Sequence, residues 1–370
     1  MNTRVFDIRA LNPETLRRAQ VLRESDAIAE VEQAMAHVAE AARVLAGGGL
    51  VVFPTETVYG IGANAFDEGA VRRVYEAKGR PSDNPMIVHI SRASDIGALT
   101  PMLSPQIVKL ADNFWPGPLT MVLEKKQQVP PAVTGGLETV AVRLPDDHAA
   151  AELIRLAGCP VAAPSANLSG SPSPTRAEHA IADMEGRVDI ILAGGDCRVG
   201  IESTVVDMTV SPPEILRPGI LTADMLSAAI DEAVECDPAL NSRGGGQEAS
   251  GGGSGGADCG EPAPKSPGMK YRHYAPNAEM IVVEGRRDKV EAEVSRLEKL
   301  NKQIGNNVGV LLFEEQSYIE AAHEFYARLR ELDASGADMI IAGALSDKDG
   351  VGFAVMNRMM KSAGYNIVKV

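Results

Sequence analysis

The sequence predicts an α/β protein in two parts, and three observations carry that reading. Short apolar runs of strand length alternate with stretches of helical period along most of the chain. One segment, Asn241 to Pro267, breaks the alternation with Gly, Ser, Ala and Pro, including the run Gly251 to Gly256. Such a stretch buries too little apolar area to offset its ordering entropy and reads as a flexible linker. The length of 370 residues exceeds the roughly 100–200 that one compact domain usually needs.

Taken in order, Ile28, Val31, Met35, Val38, Ala42 and Leu45 recur at steps of three and four and predict an amphipathic helix, which Gly47 to Gly49 stop. Leu50 to Phe53 reads as a buried strand. Asp67 is placed to cap a helix running through Ala77, with Val71, Val74 and Tyr75 on its inner face. Further strands are predicted at Met86 to Ile90, Leu119 to Leu123, Val140 to Leu144, Val161 to Ala163, Asp189 to Leu192 and Thr204 to Asp207. Ser104 followed by Pro105 is a helix start, and Thr175 with Glu178 reads as a capping box. The outcome is a twisted sheet with helices packed against it.

Beyond the linker, strands are predicted at Met280 to Val283, Val308 to Phe313 and Asp338 to Ile341, separated by helical stretches near Val290 to Leu300 and Ala321 to Leu332. This spacing predicts a small parallel, Rossmann-like sheet. No GxGxxG opens a helix after a strand, so dinucleotide binding is not supported.

Lys and Arg total 36 against 50 Asp and Glu, a net charge of −14. A general attraction to nucleic acid or anionic membrane is therefore excluded, and any anion site must be a local pocket. Aromatic residues, at 4%, leave little material for base-stacking platforms. Cys159, Cys197, Cys236 and Cys259 lie far apart, without zinc-ligand spacing or a disulfide framework. Met1 to Arg18 lacks the apolar core of a signal peptide, and no run approaches the ~20 apolar residues of a membrane span. The sequence is expected to be cytoplasmic, with no membrane partner.

Three polar clusters interrupt the apolar pattern. Pro54 to Gly60 puts Thr55, Glu56 and Thr57 at a strand's carboxyl end, where open α/β sheets bind ligands, although a capped turn accounts for the hydroxyls equally well. Lys78 and Arg80 follow a helix end and suit a polyphosphate, or simply the helix C-terminus. His89 lies on an apolar strand, where a core histidine is the commoner role. Pro164 to Pro174 holds Ser165 and Asn167, donors for phosphate oxygens in what is otherwise an ordinary Ser-rich loop. Arg143, Glu202 to Thr204 and Arg217 complete a cationic, hydroxyl-rich inventory, with no nucleophile arrangement and no acid/base carboxylate pair.

Eight motifs in order turn these clusters into a resemblance: Pro54 to Gly60, Ala77 to Pro81 with Asn84 and Pro85, Trp115 to Thr120, Val142 to Pro145, Pro164 to Asn167, Glu202 to Thr204, Leu216 to Gly219, and Ser266 to Pro276. Together they cover nearly the whole chain, which closely resembles the longer, two-domain threonylcarbamoyl-AMP synthases. Ile61 stands where Leu is more usual, and the Gly-rich insertion before Ser266 is longer than that family leads one to expect.

The resemblance implies a YrdC-like catalytic domain with a twisted open sheet and a concave pocket over residues 1–236, a linker over 237–276 that closes the pocket, and a Rossmann-like domain over 277–370. The implied reaction condenses L-threonine, bicarbonate or CO2, and ATP into threonylcarbamoyl-AMP and pyrophosphate, a product passed to the tRNA threonylcarbamoyl transferase machinery. Mg²⁺ is implied with ATP, held mainly by its phosphates and not by a protein metal site. By motif match Lys78, Arg80, Ser82, Thr139, Ala163, Ser165, Asn167, Ser173, Arg217 and Tyr274 would face ATP, with Lys78 and Arg80 catalytic, while Thr55, His89, Arg143 and Ser203 would hold threonine. Two other readings stand beside this one. A double-stranded RNA-binding or ribosome-maturation factor would use the same pocket for a weak RNA contact, against the acidic charge. Carbamoyl transfer of the hydrogenase-maturation kind would bring zinc-finger modules, which the cysteine spacing lacks.

Overall fold

The structure, a computed structural model, describes residues 1–240, 264, 274–347 and 349–370. The Gly-rich segment, Cys259 and most of the Ser266 to Pro276 motif lie outside the described residues.

Up to residue 240 the chain forms β1 (Arg4–Asp7), α1 (Pro13–Gln20), α2 (Ser25–Ala46), β2 (Val51–Phe53), β3 (Gly60–Asn64), α3 (Glu68–Lys78), β4 (Ile87–His89), α4 (Pro105–Phe114), β5 (Leu119–Glu124) and α5 (Pro131–Thr134). It continues through β6 (Thr139–Arg143), α6 (His148–Ala157), β7 (Val161–Ala162), α7 (Ala177–Met184), β8 (Ile190–Ala193), β9 (Thr204–Asp207), β10 (Glu214–Arg217), α8 (Ala223–Ile230) and β11 (Glu235–Cys236). The strands join one mixed sheet of 11, in the order β1-β8-β2-β3-β7-β4-β6-β5-β9-β10-β11.

Local chemistry explains most of these boundaries. The Asp67 side chain accepts from Ala70 N at the start of α3, and Ser104 accepts from Ile107 N ahead of Pro105 in α4. On α2 the buried stripe runs through Ala27, Ala34, Val38, Ala41, Ala42 and Leu45, while Val31 and Met35 flank it half-buried. The small alanines take the centre because α6 packs against this face.

The capping box read at Thr175 and Glu178 is not formed. Helix α7 begins at Ala177 with Arg176 at its N-cap and no side-chain cap. Thr175 is buried one residue further back, its carbonyl accepting from Cys197 N at 2.9 Å, and its hydroxyl reaches no helix donor.

The second unit comprises β12 (Glu279–Glu284), α9 (Arg287–Gln303), β13 (Val308–Leu311), α10 (Tyr318–Ala334), β14 (Met339–Gly343), α11 (Val351–Ser362) and β15 (Ile367–Lys369). Its four strands pair in the order β13-β14-β12-β15, every neighbour parallel, as the spacing of apolar runs predicts. The two units share a core: Val58 and Ile201 of the first pack with Phe325, Tyr326, Val355 and Met359 of the second, and with Tyr274 just ahead of it. This seam places α10 and α11 directly behind one wall of the cleft described next.

Candidate active site

Several chain segments converge where strands end, as they do at the ligand sites of open α/β sheets. β4 and β6 run parallel, and their last residues, His89 and Arg143, are register partners. The loop after β2 contributes Thr55 and Thr57 to Tyr59, and the loop after β7 contributes Ala163 to Ser165, Asn167, Ser169 and Gly170. Helix α3 delivers Lys78 on its last turn. Gly79 then turns the chain at φ 61°, a left-handed conformation that costs glycine little, and Arg80 is directed back to the wall. With Arg217 at the end of β10, Glu202 and Tyr274, these residues line a cleft with an empty volume of about 700 Å³.

Three cations on this wall lack a counter-charge among the described residues. Lys78 Nζ donates to the carbonyls of Ser165 and Asn167, the latter at 2.6 Å. Arg80 Nη2 donates to Pro85 O at 2.9 Å. Arg217 donates from Nε to Ser203 O at 3.1 Å and from Nη2 to Ser203 Oγ at 3.0 Å. Among the described residues none of the three forms an ion pair with a carboxylate. Burial lowers all of them, Lys78 well below the usual lysine range and Arg80 to about 10. Main-chain carbonyls carry only partial charge, so a buried polyanion would relieve what these cations lose by leaving water.

The opposite end of the cleft is built differently. Arg143 meets Glu56 at 2.7 Å with both side chains buried, yet the approach is out of line for a hydrogen bond. Arg143 Nη2 and both Glu56 carboxylate oxygens have no hydrogen-bond partner among the described residues. Beside them His89 is buried with Nδ1 unpartnered, and burial, followed by the neighbouring Arg143, lowers its pKa to about 3. A neutral imidazole and a guanidinium with an unspent donor suit an amino acid's polar groups.

Of the residues singled out in the sequence, Thr55, Lys78, Arg80, His89, Arg143, Ala163, Ser165, Asn167, Arg217 and Tyr274 line the cleft. Four do not. Ser82 is exposed on the loop beyond Arg80. Thr139 begins β6, at the far end of the strand from Arg143. Ser173 and Ser203 are fully buried behind the wall: Ser173 Oγ donates to Glu202 Oε1 at 2.6 Å, and Ser203 Oγ shares a hydrogen bond with Thr120 Oγ1 at 2.7 Å. Even on the wall, Thr55 spends its hydroxyl on the turn, donating to Val58 O at 2.7 Å and accepting from Thr57 N and Val58 N.

Sequence reasoning gave Glu202 no role and passed over Arg358 and Tyr326 of the second unit. Glu202 is the only carboxylate on the cleft wall among the described residues. The signal available for Arg358 was a lone arginine inside the apolar stripe Ala354, Val355, Met359 of a helix.

Two family models match the chain: the Sua5, YciO and YrdC family, described as "Telomere recombination", over residues 43–219, and "Threonylcarbamoyl-AMP synthase, C-terminal domain" over residues 221–364. The threonylcarbamoyl-AMP synthase of Pyrococcus abyssi is 46% identical over 89% of this chain and 95% of its own length. The chain belongs to the threonylcarbamoyl-AMP synthase family. The Bacillus subtilis threonylcarbamoyl-AMP synthase is 42% identical, with 90% of this chain and 94% of the relative covered. The crystal structure of P. abyssi Sua5 complexed with L-threonine superposes with a TM-score of 0.82 at 44% identity, over 91% of this chain and 96% of that one. As a threonylcarbamoyl-AMP synthase the chain is an enzyme of nucleotidyltransferase type, and both of its α/β units are family features.

Proposed function

We propose that this cleft joins L-threonine, bicarbonate or CO2, and ATP into L-threonylcarbamoyl-AMP, releasing pyrophosphate. The observation that carries the reading is the division of the cleft: three buried cations without carboxylate partners among the described residues at one end, and Arg143, incompletely bonded to the buried Glu56, with neutral His89 at the other. In this reading Arg143 holds the threonine carboxylate, with His89 and Thr55 beside it. Lys78, Arg80, Arg217, Ser165, Asn167 and Ala163 line the nucleotide, and Tyr274 covers it. That the P. abyssi relative was solved with L-threonine bound supports the assignment of the amino acid.

The chemistry follows from this placement. The threonine amine forms a C–N bond to the one-carbon donor, losing a proton when the donor is CO2 and releasing water as a C–O bond breaks when it is bicarbonate, and a carbamate results. A carbamate oxygen then attacks the α-phosphorus, and the bond to pyrophosphate breaks. Negative charge grows on the phosphate oxygens, where Lys78, Arg80 and Arg217 are already positioned and need no reorganisation. Closure of the cleft shields a hydrolysable mixed anhydride from water.

Mg²⁺ would enter with ATP. The wall itself does not fit direct ligation, because Glu202 already accepts from Ser173, Tyr326 and Arg358. No group of three His, Cys, Asp or Glu side chains is placed for a metal among the described residues. No step above depends on the ion. We further propose a domain division at residues 1–236, 237–276 and 277–370, delivery of the product to a tRNA-modifying transferase, and a cytoplasmic location. Among the described residues no helix is long and apolar enough to cross a membrane.

Pyrophosphate release from ATP, measured with and without threonine and bicarbonate, tests the reading. Release that requires both is expected. Release indifferent to threonine would overturn it, and tight binding of duplex RNA without pyrophosphate release would favour an RNA-binding role.

A further inference from the structure

Behind the cleft wall the second unit reaches into the first through one buried group. Arg358 on α11 is 0% exposed. Its Nε donates to Glu202 Oε2 at 3.1 Å, and Nη1 donates to the carbonyls of Pro218 and, at 3.2 Å, Ala354. Tyr326 on α10 donates its hydroxyl to the same carboxylate, 3.0 Å from each oxygen. Ser173 completes the set at 2.6 Å. The residues held in this way flank Ser203 and Arg217, the latter being a cation of the nucleotide end.

Glu202 is the one acidic side chain on that wall among the described residues, and it lies close enough to Arg217 for each to shift the other's titration. Left to itself, a buried carboxylate beside a buried guanidinium would pair with it. That pairing would cancel the charge that Arg217 offers to a phosphate. Instead Glu202 is occupied from behind: Arg358 supplies its counter-charge and Tyr326 and Ser173 its remaining hydrogen bonds. Among the described residues Arg217 is left with only neutral acceptors, Ser203 O and Oγ.

We infer that Arg358 is a positioning residue for the reaction: it holds Glu202 away from Arg217 and so keeps Arg217 available to the phosphates of ATP. The inference rests on the reading of the cleft as the ATP and threonine site. It gives the second unit a direct part in the active site, through a side chain that does not itself line the cleft. α11 also steadies the residue covering the nucleotide end, since Ser362 Oγ donates to Tyr274 O at 2.8 Å.

The test is steady-state pyrophosphate release by full-length native protein, Arg358→Met and Arg358→Met/Glu202→Gln, with KM measured separately for ATP and threonine. The single variant is expected to raise KM for ATP at least tenfold and to change KM for threonine less than threefold. The double variant, in which no carboxylate competes for Arg217, is expected to recover most of the loss. A merely structural role would move both constants together and would show no recovery in the folded double variant; either result overturns the inference. If Arg358→Met does not fold, Tyr326→Phe removes one restraint on the same carboxylate and leaves its ion pair, and about a threefold rise confined to ATP is expected. No rise, or one shared with threonine, would be contradictory. Absence of threonine-dependent release by the native protein would instead strike the functional reading itself.

Discussion

Two buried arginine–carboxylate pairs stand on either side of the cleft, and they are finished to different degrees. Arg143 and Glu56, 4% and 2% exposed in their side chains, approach to 2.7 Å and leave both carboxylate oxygens and Nη2 without a hydrogen-bond partner among the described residues. Arg358 and Glu202, 0% and 7% exposed, sit at 3.1 Å with Ser173 and Tyr326 completing the carboxylate. In a low-dielectric interior an unmet hydrogen-bonding group is costly and a fully met network is rigid. The open pair keeps hydrogen-bonding capacity that the proposed threonine would use, and the closed pair forms part of the frame that holds the wall.

The largest effect is expected from breaking the open pair. Arg143→Met should weaken threonine binding about a hundredfold, and it leaves Glu56 buried without a counter-charge, a loss of about 3–5 kcal/mol in stability. Calorimetric titration of threonine and a urea melt read the two quantities. Unchanged affinity would remove Arg143 from the threonine end.

Next comes the cationic end that the closed pair protects. Lys78→Ala removes a contact that strengthens as charge builds on the phosphate, and turnover should fall about a hundredfold, or about 3 kcal/mol. Pyrophosphate release under saturating substrates measures this. Near-normal turnover would leave Lys78 the lesser task of joining the end of α3 to the Ser165–Asn167 loop.

How much of this contrast can be read from sequence differs between the two pairs. Arg143 ends an apolar strand and Lys78 ends a capped helix, so periodicity and punctuation place both. Arg358 is placed by no local rule, because its partner is 156 residues away in the chain and only the packing of two units brings them together. β3 escapes for another reason: Gly60–Asn64 contains two glycines and lacks the β-branched run of a strand, apart from Ile61. Gly62 is required there, since a Cβ would lie 2.7 Å from Val161 Cγ1 and 2.8 Å from Phe53 Cε1. β1, β10, β15 and α8 are too short for single-chain periodicity to declare them, whereas α6 and α11 carry apolar faces at helical spacing that the sequence reading passed over. The failed capping box has the same lesson, for the Thr175 carbonyl is taken by Cys197 N of the loop after β8 before α7 begins.

A smaller effect sharpens the open side through pH. The His89 pKa of about 3, set first by burial and then by Arg143, lies below the ~6.5 of an unfolded histidine. Folding thus favours the neutral ring. The associated stability is complete above pH ~6.5 and declines as pH falls toward 3, by up to about 1.4 kcal/mol per unit. Denaturant melts of native protein and His89→Asn across roughly pH 4–7 should show the native advantage shrinking on acidification. A difference flat in pH would mean that His89 is free to charge in the folded state.

The most direct measurement crosses the two pairs with the two substrates. Arg143→Lys and Arg358→Lys each keep a positive charge while losing the planar fork that makes the contacts. Calorimetric titrations of L-threonine and ATP into both full-length variants are expected to dissociate: Arg143→Lys loses at least tenfold in threonine affinity with ATP nearly unmoved, and Arg358→Lys loses severalfold in ATP affinity with threonine nearly unmoved. If both variants weaken the same substrate, or neither weakens any, the division of the cleft into an open amino-acid end and a nucleotide end guarded by the second unit is wrong.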